Sequence, residues 1–161
     1  MLVGAWLLLM FVIVPVYDRL RGRRGPKEKK YDDAGYYSDR PEGEAVAAIA
    51  LFFRWCAAEG LLSEDHTEDP DTSKALARVV KGTLSASEYV WEYMSGKFGS
   101  GDLSDEGNRV ARALYGRPYR RILAGLAPKL RLERDVDFAA LREALNRERA
   151  SLQLAGQKAA L

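Results

Sequence analysis

Residues 44–60 read EAVAAIALFFRWCAAEG, and this alanine-rich apolar stretch is the strongest structural signal in the helical part of the chain. Its large apolar side chains recur at the three- and four-residue spacing of a helix face, and Gly60 is a natural helix stop. The stretch is short for a membrane span and contains the charged residues Arg54 and Glu59. We therefore predict a central core helix here. A helix that lies on the membrane or re-enters it is the alternative.

The chain after this helix shows further helix start and stop signals and no strand-like alternation. Ser85 and Glu88 have the spacing of a capping box, and Ser104 precedes acidic residues that suit the first turn of a helix. The predicted helices cover 72–80, 85–94, 105–115, 118–127 and a last segment that starts at Asp135 or Asp137. We predict an all-α fold, with a bundle of about six helices over residues 44–155 and a frayed tail at 156–161.

The amino-terminal stretch has the pattern of a membrane anchor. Residues 1–17 carry no charged side chain, and basic residues follow them at once. A helix over residues 1–20 nearly crosses a hydrocarbon core of about 30 Å if Arg19 extends to the interface. No Lys or Arg precedes the apolar run and no small-x-small cleavage site follows it, which favours an uncleaved span over the alternative, a cleaved signal peptide. We predict a single-pass membrane protein with its amino terminus outside and its helical domain in the cytoplasm.

Residues 21–43 form a predicted basic juxtamembrane stretch and linker. The segment 21–30 (RGRRGPKEKK) holds six basic residues and one acidic residue, whereas the whole chain carries a net charge of only +2. Because the basic charge is concentrated in one stripe, no nucleic-acid partner is expected. The stripe is interpreted as a topology determinant or as a contact for anionic lipid or an acidic partner. The predicted membrane and lipid contacts are Trp6, Tyr17, Arg19, Arg21, Arg23 and Arg24.

The composition excludes several classes of site. The 161 residues include one cysteine, Cys56, and one histidine, His66. These counts exclude an intramolecular disulfide and multi-thiolate or multi-histidine metal sites, and they disfavour a Ser-His-Asp triad. The sequence has no phosphate-binding loop, dinucleotide fingerprint or nucleophile elbow. We predict a protein without enzymatic activity or a cofactor, in which Cys56 is buried and His66 is an exposed loop residue.

An acidic loop follows the first predicted helix. It contains several carboxylates and no Lys or Arg between Glu59 and Asp71. Carboxylate oxygens are the ligands that Ca²⁺ and Mg²⁺ prefer, so weak binding of a divalent cation is one hypothesis. The glycine and the register of an EF-hand are missing, and a solvated loop that caps helices is the alternative. The candidate metal ligands are Glu59, Glu64, Asp65 and Asp69.

A second basic concentration lies near the middle of the chain, where tyrosines alternate with arginines. Such a pattern suits contact with an acidic protein partner or a phosphate, and a solvated basic face is the alternative. The candidate partner-binding residues are Tyr115, Arg117, Tyr119, Arg120 and Arg121.

The layout resembles a known family. Residues 52–63 (FFRWCAAEGLLS) and 94–126 (MSGKFGSGDLSDEGNRVARALYGRPYRRILAGL) are similar to membrane-anchored DnaJ-like proteins of the DjlA type, in which an anchor precedes a TerB-type helical domain. The resemblance implies a helical module for interaction or metal response, with Glu59, Glu64 and Asp65 as the residues carried over. The chain has no His-Pro-Asp tripeptide, so the stimulation of an Hsp70 ATPase is not carried over.

These observations favour a non-enzymatic, membrane-anchored cytoplasmic adaptor that binds a protein partner through its helical domain. The alternative is an integral accessory subunit of a larger membrane complex, for secretion or energy transduction. A metal-dependent hydrolase that uses the acidic loop is a third hypothesis.

Overall fold

The computed structural model describes residues 28–34 and 43–159, and it describes side chains as far as residue 155. The described residues form two β-strands and six α-helices. These are β1 Lys30–Asp33, α1 Glu44–Ala58, α2 Pro70–Lys81, α3 Ala86–Met94, β2 Lys97–Gly99, α4 Asp105–Leu114, α5 Arg117–Leu126 and α6 Phe138–Ala159. Short 3-10 turns occur at Glu64–His66, Ser100–Asp102 and Glu133–Asp135.

Helix α1 is the centre of the bundle. Nine of its 15 residues are buried, including Phe52, Trp55 and Cys56, and it packs against α2, α3 and the 3-10 turn at Glu133–Asp135. A helix that is apolar on nearly every side is stable in water only when other elements surround it. The predictions of a core helix, of a mostly helical fold and of a buried Cys56 are confirmed.

The helix caps fix where the elements begin and end. Ser85 and Glu88 form the predicted capping box, and Ser104 caps α4. Helix α2 begins earlier than predicted, because the Asp69 carboxylate accepts the backbone N–H groups of Asp71 and Thr72, each at 3.0 Å. Asp137 accepts the N–H of Ala139 at 2.9 Å and starts α6. Helix α6 then continues to Ala159, into the range where we predicted fraying.

The structure corrects the expectation that the chain has no strands. β1 pairs antiparallel with β2, and Tyr31 of β1 packs against Phe98 of β2 with ring centroids 5.6 Å apart. β1 lies inside the range 21–43 that we interpreted as a linker, and β2 lies inside the glycine-rich segment 96–101 (GKFGSG), between two predicted helices. Strands of four and three residues are too short to show an alternating pattern, so no periodic signal predicts them.

Among the described residues, none of the helices is both long and apolar enough to cross a membrane. The predicted anchor at 1–20 and the lipid contacts Trp6, Tyr17, Arg19, Arg21, Arg23 and Arg24 lie outside the described residues.

Candidate functional site

Of the two tyrosines predicted to bind a partner, Tyr119 is a core residue and Tyr115 is partly buried against the core. Tyr119 is 2% exposed, and its hydroxyl donates to the carbonyl oxygen of Ala48 in α1. Tyr115 stacks on Tyr119 with centroids 5.5 Å apart, and its hydroxyl donates to Asp32 Oδ2 at 2.8 Å. Both tyrosine rings thus pack inside the bundle, and contact of these residues with a partner stays a prediction.

The arginines of the same stretch do lie at the surface. Arg117, Arg120 and Arg121 are exposed, and Arg121 pairs with Glu148 of α6 at 3.0 Å. Among the described carboxylates, none forms an ion pair with Arg117 or Arg120, nor with the exposed Arg112 of α4. Residues 107–132 contain seven basic residues and no acidic one.

Three of the cations gather where β1 meets the helices. Lys29 Nζ lies 5.4 Å from the centroid of the Tyr31 ring. Burial raises the pKa of Tyr31, and the positive charge of Arg112 opposes that rise. Burial raises the pKa of Tyr115, as does Asp32, and the charge of Arg120 opposes the rise. We call Lys29, Arg112, Arg117 and Arg120 the basic surface.

The carboxylates predicted to bind a metal are dispersed. Glu59 is drawn to α6, where it accepts hydrogen bonds from Arg142 at 2.8 Å and Asn146 at 3.3 Å. Burial would raise the pKa of Glu59, but these two hydrogen bonds outweigh it and hold the pKa below its ordinary value. Asp69 caps α2, and the N–H groups of Thr72 and Asp71 lower its pKa.

The rest of the acidic loop is solvated. Glu64, Asp65, Glu68 and Asp71 are all exposed. Within residues 28–34 and 43–159, no group of three or more His, Cys, Asp or Glu side chains is arranged to hold a metal ion. The structure thus does not bring Glu59, Glu64, Asp65 and Asp69 together.

His66 departs from the prediction of an exposed loop residue. It is 6% exposed, its Nδ1 lies 2.9 Å from the Tyr89 hydroxyl, and its Nε2 lies 3.3 Å from Asp102 Oδ1. Asp102 Oδ2 accepts the backbone N–H of Gly99 at 2.7 Å. Burial raises the pKa of Tyr89 to about 12, and the nearby Tyr93, Asp102 and Asp69 add to the rise. The network joins the acidic loop, α3 and the end of β2.

A polar cleft of about 460 Å³ lies between the start of α3 and the chain before α6. Glu133 is its central group, and its carboxylate accepts from Arg54 Nη1 at 3.3 Å, Ser85 Oγ at 3.0 Å and the Ser87 N–H at 3.0 Å. The Arg54 guanidinium also lies 4.0 Å from the centroid of the Phe138 ring. Our interpretation of the sequence missed this site; the available signal was a lone arginine inside an apolar helix.

The family comparison covers most of this arrangement. A family model described as a domain of unknown function, DUF7832, matches residues 27–130, which is more than half of the chain. The chain belongs to the DUF7832 family. The DUF7832 match begins just before β1 and includes the basic surface and the acidic loop, whereas α6 lies beyond it. No curated protein and no solved structure matches the chain. The resemblance to TerB-type domains stays a prediction.

Proposed function

We propose that this protein is a membrane-anchored adaptor without enzymatic activity, and that its helical domain binds a protein partner on the cytoplasmic side. The observation that carries the proposal is the position of β1. This strand begins at Lys30, the last residue of the basic segment 21–30. It packs into the domain, with the Tyr31 ring against Phe98 and its hydroxyl donating to Asn108 Oδ1 at 3.0 Å. An anchor at residues 1–20 therefore holds the folded domain at the membrane surface.

The proposed partner surface is the acidic loop over residues 64–71. Its carboxylates are exposed and its backbone is held in place by the Asp69 cap and by the buried His66. A fixed, negatively charged loop complements a basic partner and guides its approach. Tethering to a membrane raises the effective concentration of such a partner when it is membrane-bound, so weak contacts suffice.

The experiment crosslinks the full-length protein in its native membrane and identifies the attached proteins. The test variant is Asp65→Asn with Glu68→Gln, and the matched control is Glu92→Gln with Glu143→Gln, which removes two exposed charges from helices. We expect a partner of fixed stoichiometry that is lost in the loop variant and retained in the control. Equal crosslinking in all three proteins contradicts the loop as the partner surface.

The anchor is tested separately by alkaline carbonate extraction of membranes. We expect the full-length chain to stay with the membrane pellet and a chain without residues 1–20 to be released. Release of the full-length chain contradicts the anchor, whatever the crosslinking experiment gives.

The alternative, an accessory subunit of a membrane complex, has support from the end of α6. After Leu145 no described residue of α6 is buried, and Leu152 and Leu154 are 39% and 60% exposed. Exposed leucines on a projecting helix suit burial against another subunit. Replacing both leucines with Gln is expected to abolish membrane-protein crosslinks if the protein is a subunit, and to leave them unchanged if it acts as an adaptor through the acidic loop.

A further inference from the structure

We infer that the basic surface formed by Lys29, Arg112, Arg117 and Arg120 docks on anionic phospholipid headgroups, so that one particular face of the helical domain lies against the membrane. This inference rests on the membrane anchoring proposed above and adds to it the orientation of the domain and the lipid class that it recognises.

The first argument is the placement of these cations. Lys29 lies over the Tyr31 ring. Arg112 Nε donates to the carbonyl oxygen of Asn108 at 3.2 Å, and the Tyr31 hydroxyl donates to Oδ1 of the same asparagine at 3.0 Å. Arg120 is exposed and directly follows Tyr119, whose ring stacks on Tyr115. The Tyr31 and Tyr115 rings are in edge contact, with centroids 6.2 Å apart. Arg112 and Arg120 therefore flank one aromatic cluster although they belong to different helices. Arg117 lies three residues before Arg120 in α5, which places both on the same side of that helix.

The second argument is charge. The two acidic residues of β1 beside this cluster are already engaged, since Asp32 accepts from the Tyr115 hydroxyl at 2.8 Å and Asp33 pairs with Lys30 at 2.6 Å. Residues 107–132, which include the three arginines of the basic surface, contain no Asp or Glu. The arginines of the basic surface thus keep their charge available for a ligand outside the domain, and a phosphate is the anion that guanidinium groups bind best.

The third argument is the length of the tether. If residues 1–20 occupy the membrane, only residues 21–29 separate it from β1, and nine residues span at most about 30 Å when fully extended. The same residues contain four further cations before Glu28, namely Arg21, Arg23, Arg24 and Lys27. Basic groups close to an anionic leaflet are attracted within about one Debye length, roughly 8–10 Å. Residues 21–29 are short and basic, so their attraction to an anionic leaflet brings the basic surface close to the lipid headgroups.

These arguments favour lipid over an acidic protein as the occupant, because the chain enters the domain at the basic surface itself. A protein partner would have to fit between that surface and the nearby bilayer. Binding of an acidic protein here is the competing outcome of the test.

The test uses the full-length chain reconstituted in vesicles, with a fluorophore on Ala113→Cys beside Arg112. Ala113 is exposed, whereas the native Cys56 is fully buried, so we expect the label to attach at residue 113. Lipids with a nitroxide at the headgroup quench the fluorophore when it approaches the bilayer. Vesicles of phosphatidylcholine alone are compared with vesicles that contain about one third phosphatidylserine.

We expect quenching that depends on phosphatidylserine and is lost as salt rises to about 0.5 M. The variant Arg112→Gln, Arg117→Gln, Arg120→Gln is expected to lower the ratio of docked to undocked domain on the order of 100-fold, at roughly fivefold for each guanidinium. The matched control Lys74→Gln, Arg78→Gln, Lys81→Gln removes three exposed charges from α2 and is expected to behave as the native chain.

The failures of the two proposals are distinguishable. A chain that does not stay with either kind of vesicle overturns the anchor. A chain that stays in the vesicles without quenching, or with equal quenching in both lipids, overturns the docking inference and leaves the anchor intact. Quenching that appears only after an acidic protein is added also overturns it, since the surface is then a protein site.

Discussion

At the scale of single residues, Gly107 marks the closest approach of two parts of the backbone. A Cβ atom at this buried position in α4 would lie 2.1 Å from the carbonyl oxygen of Leu61. That oxygen also accepts the backbone N–H of Ser104 at 3.0 Å and its hydroxyl at 3.1 Å, so it cannot shift without breaking the cap of α4. Only glycine lets α4 sit this close to the chain after α1.

We expect Gly107→Ala to lower the free energy of unfolding by about 2–3 kcal/mol, since the extra methyl group meets backbone and not a flexible side chain. The matched control is Gly125→Ala in α5, where nothing lies within 4 Å of the added atom. There the alanine favours the helix by about 0.5–1 kcal/mol. Urea unfolding of both variants measures the difference, and equal effects contradict the close approach.

Glu59 gives a pH dependence with a definite sign. Its pKa in the folded protein lies below the ordinary value of 4.5, so its ionised form stabilises the fold above that pH. This contribution is lost as the pH falls through the folded pKa. We expect Glu59→Gln to be less stable than the native chain at about pH 6 and the two to converge towards about pH 3. A stability difference that is constant across this range contradicts the role given to the carboxylate.

Predictions for single residues were confirmed where the two groups in contact are a few residues apart in the sequence. The Ser85–Glu88 capping box and the Ser104 cap involve groups three residues apart, and a sequence displays such spacings directly. His66 was misjudged because its partners, Tyr89 and Asp102, lie 23 and 36 residues away. Polar contacts between residues that are far apart in the sequence produce no recognisable spacing, so the sequence alone does not predict them.

At the scale of elements, the chain before α6 is fixed by one carboxylate. Glu133 connects this segment to the N-terminal end of α3 and to Arg54 of α1, and its side chain is 13% exposed. A partly buried carboxylate with several donors stabilises a loop more than an exposed ion pair does. Because the Glu133 carboxylate pairs with Arg54, this arginine is tolerated within the largely apolar surface of α1.

We expect Glu133→Gln to lower the free energy of unfolding by about 2 kcal/mol, because the amide cannot accept from all the donors that the carboxylate serves. The control is Glu143→Gln, whose pair with Arg147 is 71% exposed on both side chains and is worth at most about 0.5 kcal/mol. Thermal unfolding compares the two variants. Equal losses would show that Glu133 is an ordinary surface residue.

The long helices were predictable from the sequence, whereas the two short strands were not. The long helices repeat their apolar positions over several turns, so their existence followed from the sequence, although some of their ends shifted by as much as four residues. β1 and β2 have four and three residues. They are stabilised by Tyr31 and Phe98 reaching the aromatic cluster, which is a property of the assembled domain.

At the scale of the whole molecule, residues 28–34 pack against the helical domain, although the predicted domain begins only at residue 44. The family match starts at residue 27, three residues before β1 begins at Lys30. Tyr31 joins Phe98 and Tyr115 in an aromatic cluster that continues through Phe52 of α1. The segment interpreted as a linker therefore contributes to the core.

We expect a chain of residues 28–161 to be more stable than a chain of residues 35–161 by about 2–4 kcal/mol, because the shorter one loses β1 and the Tyr31 ring. Tyr31→Ala in the longer chain is expected to reproduce most of this loss. Calorimetry or urea unfolding of the three proteins measures it. If both truncated chains are equally stable, β1 is not part of the folded unit.

The position of β1 also has a mechanical consequence. Any pull on the chain before residue 28 enters the domain through this strand, and the load falls first on the two hydrogen bonds between Lys29 and Ser100, each 2.8 Å long. Further tension draws the Tyr31 ring away from its aromatic neighbours before it reaches a helix. A four-residue strand yields before a bundle of helices does, so β1 is the link that opens under force, and its opening exposes the aromatic cluster to water.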